Sequence, residues 1–186
     1  FCEDIGAKPL PVISAGFDPH FLRMAPVDDM EEWIREATDL IEFANGDVTT
    51  KWGAIRAAMG HPESFHLEYL AVGNEEVGDE YYERYEAILQ GVKAVCPEIK
   101  LINSAGPCAA GSEFDKGWEQ AGRTDTAFAH EHFYQCPEWF VANTDRYDKC
   151  KTKAKAFLGE YASHGMSWWN ALAESAFMIG MEKGEG

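Results

Sequence analysis

The chain has 186 residues, 46% of them hydrophobic and 13% aromatic, which is enough for one substantial core and excludes a disordered chain or a two-domain protein. The 32 Asp and Glu against 16 Lys and Arg leave a formal charge of −16, which repels phosphate backbones and anionic membrane surfaces alike. With no apolar run near the roughly 18 residues of a membrane span, nucleic acid and membrane are both excluded as partners. The first six residues lack an initiator Met, a basic stretch and an apolar stretch, so they are no signal peptide. They read as the last turn of a helix stopped by Gly6, with upstream sequence expected and the compartment undetermined. Cys2, Cys96, Cys108, Cys136 and Cys150 are odd in number and form no CxxC pair, so neither a disulfide framework nor a zinc knuckle is indicated.

Five short apolar runs, at residues 10–15, 69–72, 101–103, 127–133 and 156–158, read as buried strands. Pro11 counts against a central position for the first, because proline cannot donate to a ladder. Between the runs the period becomes helical. Met30, Trp33, Ile34, Ala37, Leu40, Ile41 and Ala44 share one face of a helix that Asp28 or Asp29 can cap and Gly46 can end. After an excursion through residues 51–59, a second helix follows Asp79, with Tyr81, Tyr85, Ile88, Leu89, Val92 and Val95 inward. A shorter one is expected over residues 137–147, and a last from about Asn170 to Met181 with Leu172, Ala176, Phe177 and Gly180 inward. Alternation of this kind argues for parallel βαβ units and an α/β fold.

In parallel α/β folds ligands sit beyond the carboxyl ends of the strands, so the first polar residue after each run is the one to inspect. Two of these are glutamates: Glu75 after the second run and Glu160 after the fifth, each following a glycine within two residues. Glycine there allows a tight turn or close approach of a ligand. Paired carboxylates facing one cleft are what glycoside hydrolysis uses, one as acid/base and one as nucleophile. The plainer reading of Glu75 is that, with Glu76, Asp79 and Glu80, it decorates a helix N-terminus.

A longer set of residues carries a specific resemblance. Residues 2–11 (CEDIGAKPLP), 40–47 (LIEFANGD), 73–75 (GNE), 131–134 (EHFY), 137–140 (PEWF), 159–162 (GEYA) and 173–178 (AESAFM) together resemble glycoside hydrolase family 51, the α-L-arabinofuranosidases. The resemblance implies a (β/α)8 TIM barrel, with this chain covering strands three to seven, and residues 1–186 forming part of one catalytic domain. It implies Glu75 as acid/base and Glu160 as nucleophile of a retaining hydrolase that removes arabinofuranosyl groups from arabinan or arabinoxylan. Their carboxyl groups should then lie about 5 to 5.5 Å apart. By the same resemblance Asn74 bonds the sugar 2-hydroxyl, Tyr134 bonds the nucleophile, and His132 contacts the sugar or supports the site. No metal or organic cofactor is implied, since carboxylates supply both proton transfer and nucleophile.

Other readings stay open. Trp168 or Trp169 can stack on a sugar ring, though core packing also suits either. Relatives often carry Asp where this chain has His130, which makes His130-Glu131-His132 look like a metal-binding pair. A metal site needs about three ligands, and His20, His61, His66 and His164 offer no second cluster. Ser104 and Ser163 follow strand ends without a readable triad. An endo-β-glycanase shares the two-Glu arrangement, and a truncated sugar-binding fragment is a further alternative. With strands absent, residues 1–186 alone are expected to turn over substrate negligibly, and open sheet edges invite homo-oligomers.

Overall fold

The computed structural model describes residues 1–18, 23–148 and 152–184; His20 and Cys150 lie outside them. Five parallel strands, β1 (Val12–Ile13), β4 (Tyr69–Val72), β5 (Lys100–Ser104), β6 (Thr126–Gln135) and β7 (Lys155–Ser163), form one sheet whose spatial order is their chain order. Each overlaps one of the five apolar runs, but β1 takes only two residues of the first, and β7 continues five residues past the last, so that Glu160, expected just beyond a strand, lies within one. β1 is an edge strand that begins just after Pro11, whose carbonyl accepts from the Ala71 N–H at 3.0 Å. A two-stranded antiparallel ribbon, β2 (Phe17–Asp18) with β3 (Arg23–Met24), follows β1 and was not expected, since two residues per strand carry no period.

The crossovers are helical, as parallel pairing requires. α1 (Glu31–Asn45) and α2 (Lys51–Ala58) precede β4, α3 (Asp79–Val95) joins β4 to β5, and α4 (Ser112–Arg123) joins β5 to β6. α5 (Pro137–Ala142) leads into the segment before β7, and α6 (Trp168–Lys183) follows it. Gly46 ends α1 as expected, its N–H bonding the Glu42 carbonyl at 2.7 Å. Asp28 and Asp29 do not cap it: they lie in a 3-10 turn, Val27–Asp29, and α1 starts after Met30 with no side-chain cap. α6 starts two residues earlier than expected because Ser167 and Asn170 form a capping box. α5 is shorter than expected. The Asn143 side chain bonds back to the Trp139 carbonyl and the chain leaves the helix there. α4 was missed altogether, because its buried positions are Gly117, Gln120 and Ala121, which show no apolar stripe.

All the helix packing described lies on one face of the sheet. Leu70, Val72 and Leu101 meet α1 and α3, while Ala129 meets Ala121 of α4. Phe133, Leu158 and Tyr161 meet Phe140 of α5 and Phe177 of α6. Val95 and Leu172, expected inward, are instead 68% and 60% exposed. The opposite face presents Tyr69, Ile102, Phe128 and Phe157 in a shallow apolar pocket with Pro9 and Leu10. A doubly wound sheet would bury both faces under helices, whereas a barrel wall buries its outer face under helices and fills its inner face with side chains.

Candidate active site

Beyond the apolar pocket, toward the carboxyl ends of the strands, the inner face turns polar. β4 ends at Val72, whose carbonyl accepts the Tyr81 hydroxyl of α3 at 2.6 Å. Gly73 turns the chain at φ +79°, and a Cβ there would stand 2.5 Å from a Glu76 carboxyl oxygen and 2.8 Å from the Tyr81 ring. The close approach this glycine permits is therefore made by the protein's own side chains. Glu75 follows at φ +62°, a left-handed conformation that costs a non-glycine residue roughly 1–3 kcal/mol. Such strain is retained where the surroundings impose it.

Glu76 lies directly behind this turn and is only 6% exposed, with its Oε2 lacking a partner. Burial pushes its carboxyl up to about 7, despite the backbone N–H groups of Asn74 and Glu76 that favour the charged form; the nearby Glu75 adds to the rise.

β6 projects His130, His132 and Tyr134 to the inner face, and Glu131 and Phe133 to the helices. Glu131 is fully buried and accepts from Trp118 Nε1 at 2.8 Å, the Tyr147 hydroxyl at 2.8 Å and Arg146 at 3.3 Å. It is structural, as its alternation with His132 predicts. β7 reaches the same inner face only through an irregularity. Leu158 pairs with Glu131, yet Glu160 pairs with His132, so Gly159 is an extra residue in the ladder. Were the register unbroken, Glu160 would fall opposite Phe133 and face the helices. With the shift, the Tyr134 hydroxyl donates to Glu160 Oε2 at 3.0 Å. That bond, with burial, raises the Tyr134 hydroxyl above its usual range.

Glu75, His132 and Glu160 converge, with one nitrogen or oxygen atom of each within 4.8 Å of the others. Among the described residues no other trio of His, Cys, Asp or Glu comes as close. His132, 2% exposed, lies with Nδ1 3.2 Å from Glu75 Oε1 and 3.7 Å from Glu160 Oε1. The glutamate side chains are 38% and 44% exposed, so a ligand can reach both. His130 and His132 turn Nε2 toward Nε2 at 2.8 Å, a bond to each other rather than to a shared third point.

Residues 1–152 match the profile of the alpha-L-arabinofuranosidase 1 domain. An arabinose-bound α-L-arabinofuranosidase of family GH51 superposes with a TM-score of 0.81 at 27% identity, over 98% of this chain and 31% of that one. The chain belongs to glycoside hydrolase family 51. An extracellular exo-α-L-arabinofuranosidase of Streptomyces chartreusis is 44% identical over 98% of this chain and 23% of its own length. An α-L-arabinofuranosidase of Arabidopsis thaliana is 33% identical over 97% and 26%. This family 51 chain thus spans about a quarter of the length of these curated relatives. The arabinose complex of the Thermotoga maritima enzyme shares the fold, with a TM-score of 0.67 at 19% identity.

Of the residues expected to form the family 51 site, the fold brings together Glu75, His132, Tyr134 and Glu160. Asn74 sits exposed beside Glu75 on the same turn. Trp168 stands 86% exposed at the start of α6, and no hydrogen bond or ring contact joins it to the cluster. Its neighbour Trp169 donates to Glu138 at 3.0 Å. His61 pairs with Glu3 at 3.7 Å, away from the site, and the Ser163 hydroxyl is taken by Asn170 at 2.7 Å. Sequence reasoning missed Glu76, which was grouped with helix-end acids, and the bond from His130 to His132. The adjacent Glu-Glu and the HxH spacing were visible, but burial and ring orientation were not.

Proposed function

We propose that residues 1–186 contribute strands three to seven of a (β/α)8 catalytic barrel and carry both reacting groups of a retaining α-L-arabinofuranosidase acting on arabinose-containing polysaccharides. Glu75, in its acid form, protonates the glycosidic oxygen while Glu160 attacks the anomeric carbon, so the leaving group departs with the proton and an arabinofuranosyl ester forms on Glu160. Water then gives a proton to Glu75 and attacks the same carbon, freeing arabinose with retained configuration and returning Glu160 to its carboxylate.

The observation that carries this reading is the approach of Glu75 and Glu160 to within 4.8 Å, oxygen to oxygen. Retaining enzymes hold their carboxyl groups about 5–5.5 Å apart, whereas inverting ones leave about 6.5–9.5 Å for a water. The Tyr134 hydroxyl, donating to Glu160 Oε2, holds that carboxyl group in the fixed orientation a nucleophile needs. In this reading Asn74, exposed on the acid/base turn, bonds the sugar 2-hydroxyl, and the exposed Trp168 offers a face for stacking on a sugar ring. Open ladder edges at β1 and β7 are where the remaining barrel strands would add.

The test uses the full-length protein that carries these residues. Glu160→Ala should lower turnover of an aryl arabinofuranoside by about 10⁴-fold or more, and azide should yield the glycosyl azide of inverted configuration. Glu75→Ala should be far milder on substrates with good leaving groups, which need little protonation. If the two variants exchange these behaviours, the roles are reversed; if a glucan is cleaved and the arabinofuranoside is not, the substrate class is wrong.

A further inference from the structure

His130 and His132 stand two apart on β6 with their rings nearly perpendicular, at 83°, and Nε2 facing Nε2 at 2.8 Å. Such a contact needs a hydrogen on one nitrogen and a lone pair on the other, so the two rings cannot choose their tautomers independently. The far nitrogen of His132 decides between them. Nδ1 is 3.2 Å from Glu75 Oε1 and 3.7 Å from Glu160 Oε1, where a lone pair would face two carboxyl oxygens and an N–H can donate to Glu75 with Glu160 close by. A neutral His132 carrying its hydrogen on Nδ1 has its lone pair on Nε2. His130 Nε2 must then supply the hydrogen between the rings.

The surroundings suit His130 to that task. Burial, helped by the neighbouring His132, pushes its imidazole down to about 4. A neutral ring has one hydrogen to give. Its place is cut by Gly159: a Cβ at that position would overlap the His130 ring at Nε2, the very atom that makes the bond. The Phe157 ring, 5.2 Å away between centroids, packs beside it.

We propose that His130 is a positioning residue that sets His132 in its Nδ1–H tautomer, so that this imidazole presents a donor to the space between Glu75 and Glu160. The proposal rests on the reading of those two glutamates as the catalytic pair. The groups facing His132 are Glu75 from the turn after β4, Glu160 from β7 and His130 on its own strand; Tyr134 acts on Glu160, and Glu76 lies behind Glu75. A donor fixed there orients Glu75 and presents a positive N–H edge to Glu160 without taking a proton from either.

The experiment is ¹⁵N NMR of histidine-labelled full-length protein, with the His132 signals assigned by their loss in His132→Asn. At pH 7 the unaltered protein should show His132 as the Nδ1–H tautomer. His130→Gln, whose amide can donate from near the Nε2 position, should keep that tautomer and hold kcat on an aryl arabinofuranoside within about threefold. His130→Leu fills the space but donates nothing. It should shift His132 toward the Nε2–H form and lower kcat on the order of tenfold, with KM changing much less, as loss of one hydrogen bond would. An Nε2–H tautomer in the unaltered protein overturns the proposal, as does an unchanged tautomer in His130→Leu. Should His130→Leu fail to fold, the unaltered protein and His130→Gln decide. If the tautomers respond as expected but no arabinofuranoside is hydrolysed, the proposed function fails and the positioning role stands.

Discussion

Glu131 and Glu160 sit on adjacent strands about one ladder rung apart, yet the two carboxyl groups occupy opposite environments. Glu131, on the helix side, is fully buried and surrounded by donors from two segments: Trp118 of α4, and Arg146 and Tyr147 from the turns after α5. Glu160, on the open side, is 44% exposed and meets one hydroxyl and one imidazole. A carboxylate that serves the fold has its lone pairs spent on the protein, whereas one placed for chemistry keeps lone pairs for a ligand. Charge alone does not tell them apart, because both are glutamates with aromatic neighbours. Saturation does.

The contrast can be broken first on the structural side. Glu131→Ala should leave the Arg146 guanidinium, 15% exposed, as a buried charge without its partner, costing about 3–5 kcal/mol of stability. Denaturant unfolding of the full-length protein would read this as a large drop in midpoint, while activity per folded molecule stays close to that of the parent. A variant that keeps its stability but loses turnover would move Glu131 to the functional side of the comparison.

A smaller effect is expected at the extra residue that turns Glu160 inward. Gly159→Ala places a methyl group on the His130 ring, an overpacking that should cost about 1–3 kcal/mol. Combining it with His130→Ala removes the overlap, so the double variant should be more stable than the sum of the two single changes predicts. Simple additivity would show that Gly159 is required for its backbone and not for the room it leaves.

A test through pH alone concerns Glu76, whose carboxyl burial pushes up to about 7 in the fold against an ordinary value of 4.5. Between these values the folded state binds more protons than the unfolded chain, so this group makes stability fall as pH rises from about 4.5 to 7. His130, pushed down to about 4 from 6.5, acts with the opposite sign, its contribution being lost as pH falls through that window. Glu76→Gln removes only the first slope. The difference in stability between Glu76→Gln and the parent should therefore grow in the variant's favour from pH 4.5 to 7; a difference independent of pH would mean that Glu76 is solvated.

Much of this was legible in the chain. The five strands followed from local apolar runs, and α1 from its 3.6-residue period and the Gly46 stop, because each depends on residues close in sequence. Glu75 and Glu160 stood out by their place after apolar runs, although Glu160 proves to lie within β7, and the family resemblance supplied the expectation of their roles. The tertiary structure decided which way each side chain faces. Gly159 reads as a glycine for a tight turn or a ligand's approach until β7 is paired with β6, and only that pairing shows the shift in register that carries Glu160 to the side of His132. Likewise α4 hides behind Gly117, Gln120 and Ala121, and Glu131 finds its partners 13 to 16 residues away. Period and capping are local and can be read along the chain. Register, burial and tautomer belong to pairs of residues from different segments, and they exist only once those segments meet.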